Sequence, residues 1–323
     1  MLVSIVIPVY NEAAGLEVFH TKHLIPELKK IKKTSFEIIY VNDGSRDATL
    51  TILASLAGKD DSIKVINLSR NFGKEIAVTA GISACAGEAT IIMDGDGQHP
   101  PILINDFLAK WQGGAQVVVG VRKSNTKEGI VKRVGSKVFY RLFNSASGAE
   151  IVPGSTDFRL IDQNVRMEFL RFSERHRITR GLIDWLGFKR DYVAFDSPAR
   201  IAGNASYKLS QLVRLALNSF VSLSLKPLFL FGWIGVLITS LSLLAGTFLL
   251  VEQVFMGDPL RLGFTGAALL GILISFLIGL VLISQGVIAI YLSHVHSQTQ
   301  DRPLFVIDRA NSIGLSKDSL PLT

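Results

Sequence analysis

The sequence is poor in cysteine: Cys85 is the only one among 323 residues. No intrachain disulfide can form, and nothing points to an oxidising compartment. Glycine is not scarce, but it is missing where two common nucleotide folds need it. The first strand-to-helix turn has no Gly-x-Gly-x-x-Gly, and Gly-x-x-x-x-Gly-Lys-Ser/Thr occurs nowhere. That excludes a dinucleotide fingerprint and a P-loop. A bound phosphate would be neutralised by a metal ion and basic side chains instead. Zinc-finger spacing, a basic DNA-reading helix and an RNP-like aromatic motif are also lacking, so the net charge of +7 does not read as nucleic-acid binding. An anionic lipid or a phosphorylated small molecule remains. The stretch Met1–Val9 has no basic start, its apolar run is short, and Pro8 interrupts it. It is not a signal peptide.

Apolar residues make up 48% of the chain, with the excess late in it. The first part, to about residue 121, alternates between two periods. Strands are expected at Leu2–Val9, Phe36–Asn42, Ile63–Leu68, Thr90–Met93 and Gln116–Val121. Between them come an amphipathic stretch to about Ile31 and helices over Ala48–Leu56, Lys74–Ala86 and Ile102–Trp111. Such alternation argues for an α/β domain with a mostly parallel sheet. Ligands of such sheets bind outside the carboxyl ends of the strands. The polar clusters sit there: Tyr10-Asn11-Glu12, Asn42-Asp43-Gly44-Ser45, Ser69 to Lys74, and Asp94 to Gln98.

The last cluster organises the rest. In Ile91-Ile92-Met93-Asp94-Gly95-Asp96-Gly97-Gln98-His99-Pro100-Pro101 a buried strand delivers two carboxylates to the sheet rim. Residues i and i+2 of an extended segment share a side, so Asp94 and Asp96 can face one cleft. Two hard oxygen ligands suit Mg²⁺ or Mn²⁺, and Gly95 and Gly97 leave room for a bulky ligand near the backbone. A plain polar turn is the other reading of Asp-Gly-Asp.

Beyond Arg122 basic residues gather, among them Lys123, Lys127, Lys132, Arg133, Lys137, Arg141, Arg175, Arg177, Arg180 and Arg200. They read as a solvated face or as a groove for a phosphate headgroup. Thr156-Asp157-Phe158-Arg159-Leu160 is strand-like and would bring Asp157 beside the cleft. Residues 204–227 form an amphipathic stretch suited to a membrane interface. Leu228–Val251 and Phe264–Ser293 are uncharged runs of 24 and 30 residues, each longer than the roughly 20 residues that cross a bilayer core. The short link between them makes a transmembrane hairpin. Its connecting loop holds Glu252, Asp258 and a single Arg261, whereas Lys208, Arg214, Lys226, Arg302 and Arg309 flank the other side. The positive-inside rule then leaves both termini and the first domain in the cytoplasm. In the tail, residues 294–323, the segment Pro303–Ile307 reads as a short strand. An unpaired strand there can add to another protomer's sheet, which leaves a homo-oligomer open.

Five stretches together, Ser4 to Glu12, Val41 to Ser45, Asn71 to Lys74, Met93 to Pro101 and Thr156 to Leu160, resemble family 2 glycosyltransferases with the Rossmann-like GT-A fold. With the two-span tail, the chain is similar to polyprenyl-phosphate sugar transferases of the bactoprenol glucosyltransferase and dolichyl-phosphate mannose synthase type. The resemblance implies a catalytic domain over residues 1–203, an interfacial segment 204–227 and a hairpin over 228–293 in the plasma membrane. It implies inverting transfer of a hexose, glucose from UDP-glucose foremost, to polyprenyl phosphate. Pro8, Tyr10, Glu12 and Asp43 would hold the nucleoside, joined by Lys74, Asp94 and Gln98. Asp96, with Asp94, would bind the metal. Asp157 would serve as base, or equally as an orienting group, since the acceptor phosphate is already largely dianionic at neutral pH. Arg122, Arg133, Lys137 and Arg200 would meet the lipid phosphate. The alternatives are GDP-mannose as donor, a processive polysaccharide synthase, and a nucleotide sensor without catalysis. A synthase would carry Gln-x-x-Arg-Trp, absent from Arg180 to Trp185, and a sensor has no need of the third carboxylate.

Overall fold

The computed structural model describes residues 1–123, 154–175, 177–198, 266–300 and 302–315, with residues 152 and 201 and isolated positions between 237 and 251. The chain divides into two compact units, Met1–Tyr207 with Asp301–Thr323, and Lys208–Gln300.

In the first unit, β1 (Leu2–Val9), β2 (Ser35–Asn42), β3 (Ile63–Asn67) and β4 (Ala89–Ile92) pair in parallel in the order β3-β2-β1-β4. β1 and β4 are near-continuous apolar runs, as strands covered on both faces should be. β5 (Val117–Arg122) and β7 (Arg190–Phe195) pair in parallel with each other. β6 (Ser155–Asp162) runs antiparallel between β4 and β5. The seven strands therefore stand in the order β3-β2-β1-β4-β6-β5-β7, six pointing one way and β6 against them. The mostly parallel sheet is as expected, and the reversed strand is new. It brings the amino end of β6 to the rim where β1 to β4 finish.

The helical run after β1 comprises α1 (Leu16–Val18), a π-helical turn Phe19–Leu24 and α2 (Ile25–Lys30). α3 (Thr49–Ala57), α4 (Lys74–Ser83) and α5 (Ile104–Gln112) are the crossovers of the parallel half. α6 (Gln163–Leu170), capped by the Asp162 carboxylate, and α7 (Thr179–Trp185) follow β6. One face of the sheet packs Ile5, Ile7, Tyr40, Phe107 and Phe158, and the other packs Val78, Ile92, Ile161, Val165 and Phe169.

At the end of the sheet away from the cleft, Glu37 is buried inside strand β2. Its Oε1 accepts from Ser4 Oγ (2.5 Å) and from the backbone N–H groups of Ala86 (2.6 Å) and Gly87 (3.2 Å), while Lys64 Nζ donates to Oε2 at 2.7 Å. Burial works to raise its pKa, but the donors from Lys64, Ser4 and Ala86 hold it below the usual glutamate value. Such a group stabilises the fold above its unfolded pKa and loses that contribution as pH falls through the lowered folded value. Glu37→Ala strands several buried donors and is expected to cost about 3–5 kcal/mol in chemical denaturation.

The tail corrects the sequence reading. Pro303–Ile307 is not a strand, and residues 302–315 instead lie along β3 of their own chain through two antiparallel bridges, Leu68 with Ile307 and Val65 with Ile313. Alternate residues of an edge strand point their N–H groups outward. Val65 donates to Ile313 O (2.9 Å), Asn67 to Ser312 Oγ (3.0 Å) and Ser69 to Val306 O (2.9 Å). Phe305, Ile307 and Leu315 pack against the core. The segment that motivated a homo-oligomer is thus paired within its own chain.

In the second unit, α8 (Gly266–Thr299) spans 34 residues. Its window Phe276–Ser293 has a mean hydropathy of 2.2 and no buried residue. It is long and apolar enough to cross a membrane. The interfacial segment 204–227 lies outside the described residues, and of the first expected span only isolated positions are described.

Candidate active site

The site is built at the carboxyl rim of β1 to β4, where parallel strands leave their loops side by side. Asp94 follows β4 after Met93. β6 pairs with β4 so that Arg159 faces Ile92, and extending that antiparallel register by two places sets Asp157 opposite Asp94. Between them stands Lys74, the first residue of α4. Its Nζ lies 2.7 and 2.9 Å from the two oxygens of Asp94 and 2.9 Å from Asp157 Oδ2.

Lys74 is placed by an acid that the sequence suggested for nucleoside binding. Asp43, at the end of β2, is buried, and its two oxygens accept the backbone N–H groups of Phe72 (2.7 Å) and Gly73 (2.9 Å). Burial raises its pKa against the pull of those two donors. The carboxylate thereby fixes the loop that starts α4. Gly44 permits the arrangement: it has φ +64°, and an added Cβ would sit 2.4 Å from the Arg70 carbonyl carbon. Asn42 and Asn67 tie the same strand ends, with Asn42 Nδ2 donating to Asn67 Oδ1 at 2.7 Å.

Asp157 and Lys74 depend on each other electrostatically. Burial pushes the Asp157 pKa up, yet Lys74, Arg180 and Arg159 outweigh it and hold the carboxyl well below the usual range. For Lys74, burial acts to release the proton, and the charges of Asp94 and Asp157 more than restore it, raising the pKa. Arg159 is 1% exposed. One of its terminal nitrogens donates to Asp184 Oδ1 and the Arg180 carbonyl, both at 3.3 Å, and the other to the Thr156 carbonyl at 3.2 Å. Glu75, Val78, Ile92, Thr179 and Arg180 complete the cleft around Lys74, Asp157 and Arg159.

The loop after β4 is held by His99, whose Nδ1 accepts the Asp94 N–H at 2.9 Å. The ring stacks on Phe158 with centroids 5.1 Å apart, and burial keeps it neutral by lowering its pKa. Asp96 Oδ1 accepts the Gln98 N–H at 2.9 Å. Ile201 donates its N–H to the Asp96 carbonyl at 3.1 Å, and its side chain fills the space beside Gly97. Gly95 is buried beside Ile7 and Val9. The two glycines thus serve packing around the loop, not the open ligand approach read from the sequence.

A divalent ion fits this donor set in one way. No group of three His, Cys, Asp or Glu side chains converges among the described residues, so an all-protein cage is not offered. Mg²⁺ and Mn²⁺ usually take one or two carboxylates and complete their shell with substrate phosphates and water. The Lys74 ammonium engages both oxygens of Asp94, and Asp96 Oδ1 holds the Gln98 N–H.

Of the other residues singled out in the sequence, Pro8 lies in β1, Tyr10 is exposed at its end, and Glu12 donates its N–H to Thr49 Oγ1 at 3.0 Å. Arg122 ends β5, its N–H bonded to the Gly154 carbonyl. Arg133, Lys137 and Arg200 lie outside the described residues. Sequence reasoning overlooked Glu75 and gave Arg180 and His99 no roles of their own. Glu75 adjoins a motif lysine, and His99 sits inside a quoted motif. Only the strand order shows what they face.

Sheet and rim define the class: a GT-A-like α/β domain with an acidic ligand site on the carboxyl ends of its parallel strands. Comparison with known proteins narrows this. The profile of "Glycosyl transferase family 2" matches residues 4–170. The chain is 39% identical over 307 residues to an uncharacterized glycosyltransferase of Synechocystis, covering 94% of each. It is 33% identical over 311 residues to the SfII prophage-derived bactoprenol glucosyl transferase of Shigella flexneri, covering 96% of this chain and 99% of the relative. Among solved structures, glucosyl-3-phosphoglycerate synthase of Mycobacterium tuberculosis, in complex with Mn²⁺, UDP and phosphoglyceric acid, superimposes with a TM-score of 0.50 at 21% identity, over 68% of this chain and 76% of that one. The protein belongs to glycosyl transferase family 2 and is a glycosyltransferase.

Proposed function

We propose that the protein transfers glucose from UDP-glucose to undecaprenyl phosphate with inversion at the anomeric carbon, using Mg²⁺ or Mn²⁺. The observation that carries this reading is Lys74 clamped between Asp94 and Asp157 at the sheet rim. It is supported by near full-length similarity to a relative named bactoprenol glucosyl transferase. In the reaction the bond from the anomeric carbon to the UDP oxygen breaks, its electron pair leaving with UDP. A lipid phosphate oxygen forms the new bond from the opposite side. Asp96 and Asp94 would hold the ion, which when bound offsets charge on the departing diphosphate. Lys74 holds a fixed positive charge at the same place and orients Asp157. An acid kept this far below its usual pKa is a poor base, and the acceptor phosphate, with a second pKa near ~6, needs no base at neutral pH. Asp157 therefore acts by orienting the groups around it. Pro8, Tyr10, Glu12 and Gln98 would contact the donor. Arg122, Arg133, Lys137 and Arg200 would contact the lipid phosphate. A hairpin over residues 228–293, with both termini cytoplasmic, would keep the acceptor in reach.

The test is incubation of the full chain with undecaprenyl phosphate and a panel of labelled nucleotide sugars, followed by lipid extraction. Label from UDP-glucose should enter the lipid phase, and chelation should abolish it. Label from GDP-mannose alone, or in long polymer, would overturn the donor and acceptor assigned here.

A further inference from the structure

Glu75 lines the cleft without a part in the reaction described above. Its Oε2 accepts the backbone N–H of Thr179 at 2.8 Å. That N–H opens α7, whose next residue is Arg180. Glu75 also follows Lys74 in α4, so one turn of helix carries the cation that meets Asp157 and the acid that holds the helix bearing a second cation. α4 belongs to the parallel half of the sheet and α7 follows the reversed strand. The Glu75 bond therefore fastens together two parts of the domain that both aim charge at Asp157.

We propose that Glu75 is a positioning residue for sugar transfer: by holding the first N–H of α7 it sets Arg180 and Lys74 around Asp157. A further observation agrees. Arg159 Nε is buried without a hydrogen-bond partner among the described residues. Arg159 and Thr179 line the same cleft as Glu75, with room there for about one water molecule. The groups facing Glu75 are Asp157, Lys74, Arg180 and Arg159, the last backed by Asp184. Burial, and then the charge of Asp157, raise the Glu75 pKa, so the two acids of the cleft are driven in opposite directions.

The test has two arms, and only the second rests on the proposed reaction. In the first, amide exchange is followed at Thr179 in the full chain. Glu75→Ala should speed it at least about tenfold, whereas Glu75→Gln, which keeps an acceptor oxygen, should stay near wild type. Unchanged exchange in Glu75→Ala overturns the proposal. The second arm is a double-mutant cycle with Thr179→Pro. Ile178 is extended at φ −123° and ψ 95°, a conformation that accepts a following proline, and proline suits the first position of a helix. Each single variant should lose about 10²-fold in kcat with the donor KM within twofold, as misplacement of a catalytic frame does. Glu75→Gln should recover most of that loss. The double variant should be no slower than either single one, since both remove the same bond. Full multiplication of the two losses, or Glu75→Ala turnover within twofold of wild type, overturns the proposal. If wild type itself transfers no sugar, the proposed function falls and amide exchange alone decides the role of Glu75.

Discussion

Asp157→Asn is expected to lower transfer by about 10³-fold while the protein still folds and binds nucleotide. The substitution keeps shape and removes charge. Lys74 retains Asp94 as its partner, Arg159 retains Asp184, and Arg180 is only half-buried, so no cation is left both buried and stranded. The loss then reports on chemistry. It also goes with a stated pH dependence. A general base would give wild type a pH–rate profile that rises through the pKa of Asp157. The cluster holds that carboxyl ionised far below neutrality, so kcat/KM should show no limb from it between about pH 5 and 9.

Lys74→Met should be nearly as damaging, with transfer reduced by about 10²–10³-fold. Here the pH dependence of stability is the sharper readout. In wild type the folded pKa of Asp157 lies below its unfolded value. The group contributes stability above about pH 4, and that contribution is lost only as pH falls through the depressed folded value. Without the lysine the largest opposing charge is gone, and the Asp157 pKa moves back up toward its unfolded value, with Arg180 and Arg159 still acting on it. The variant should therefore lose less stability than wild type as pH is lowered from about 5 towards 3. Thermal melts across that range check the sign. A constant difference between the two proteins would show that Lys74 is not the counter-charge described here.

Much of this site was legible in the sequence because its parts are local. Asp94 and Asp96 follow an apolar run that can only be a buried strand, and β1 begins and ends where its pattern says. The lysine after Asn71-Phe72-Gly73 could be named for the same reason. What stayed hidden is non-local. Nothing in Ser155–Asp162 indicates that this strand enters the sheet backwards between β4 and β5, yet that reversal sets Asp157 opposite Asp94. α6, α7 and β7 escaped notice because each is only six to eight residues long, too short for an apolar period to stand out. The backbone bonds of Asp43 stayed hidden for a different reason. A carboxylate at a strand end can meet a ligand or the backbone of the next loop, and both leave the same trace in sequence. The tail was misread because a short apolar segment does not say whose sheet edge it will cover.

The measurement that bears most directly on the central claim uses wild type and Asp157→Asn side by side. Each is incubated with undecaprenyl phosphate, UDP-α-glucose and a divalent ion. The lipid-linked product is then quantified, and its anomeric configuration read by NMR. The account predicts β-linked glucosyl phosphate from wild type and almost none from the variant. An α-linked product, or equal yield from both proteins, would contradict it.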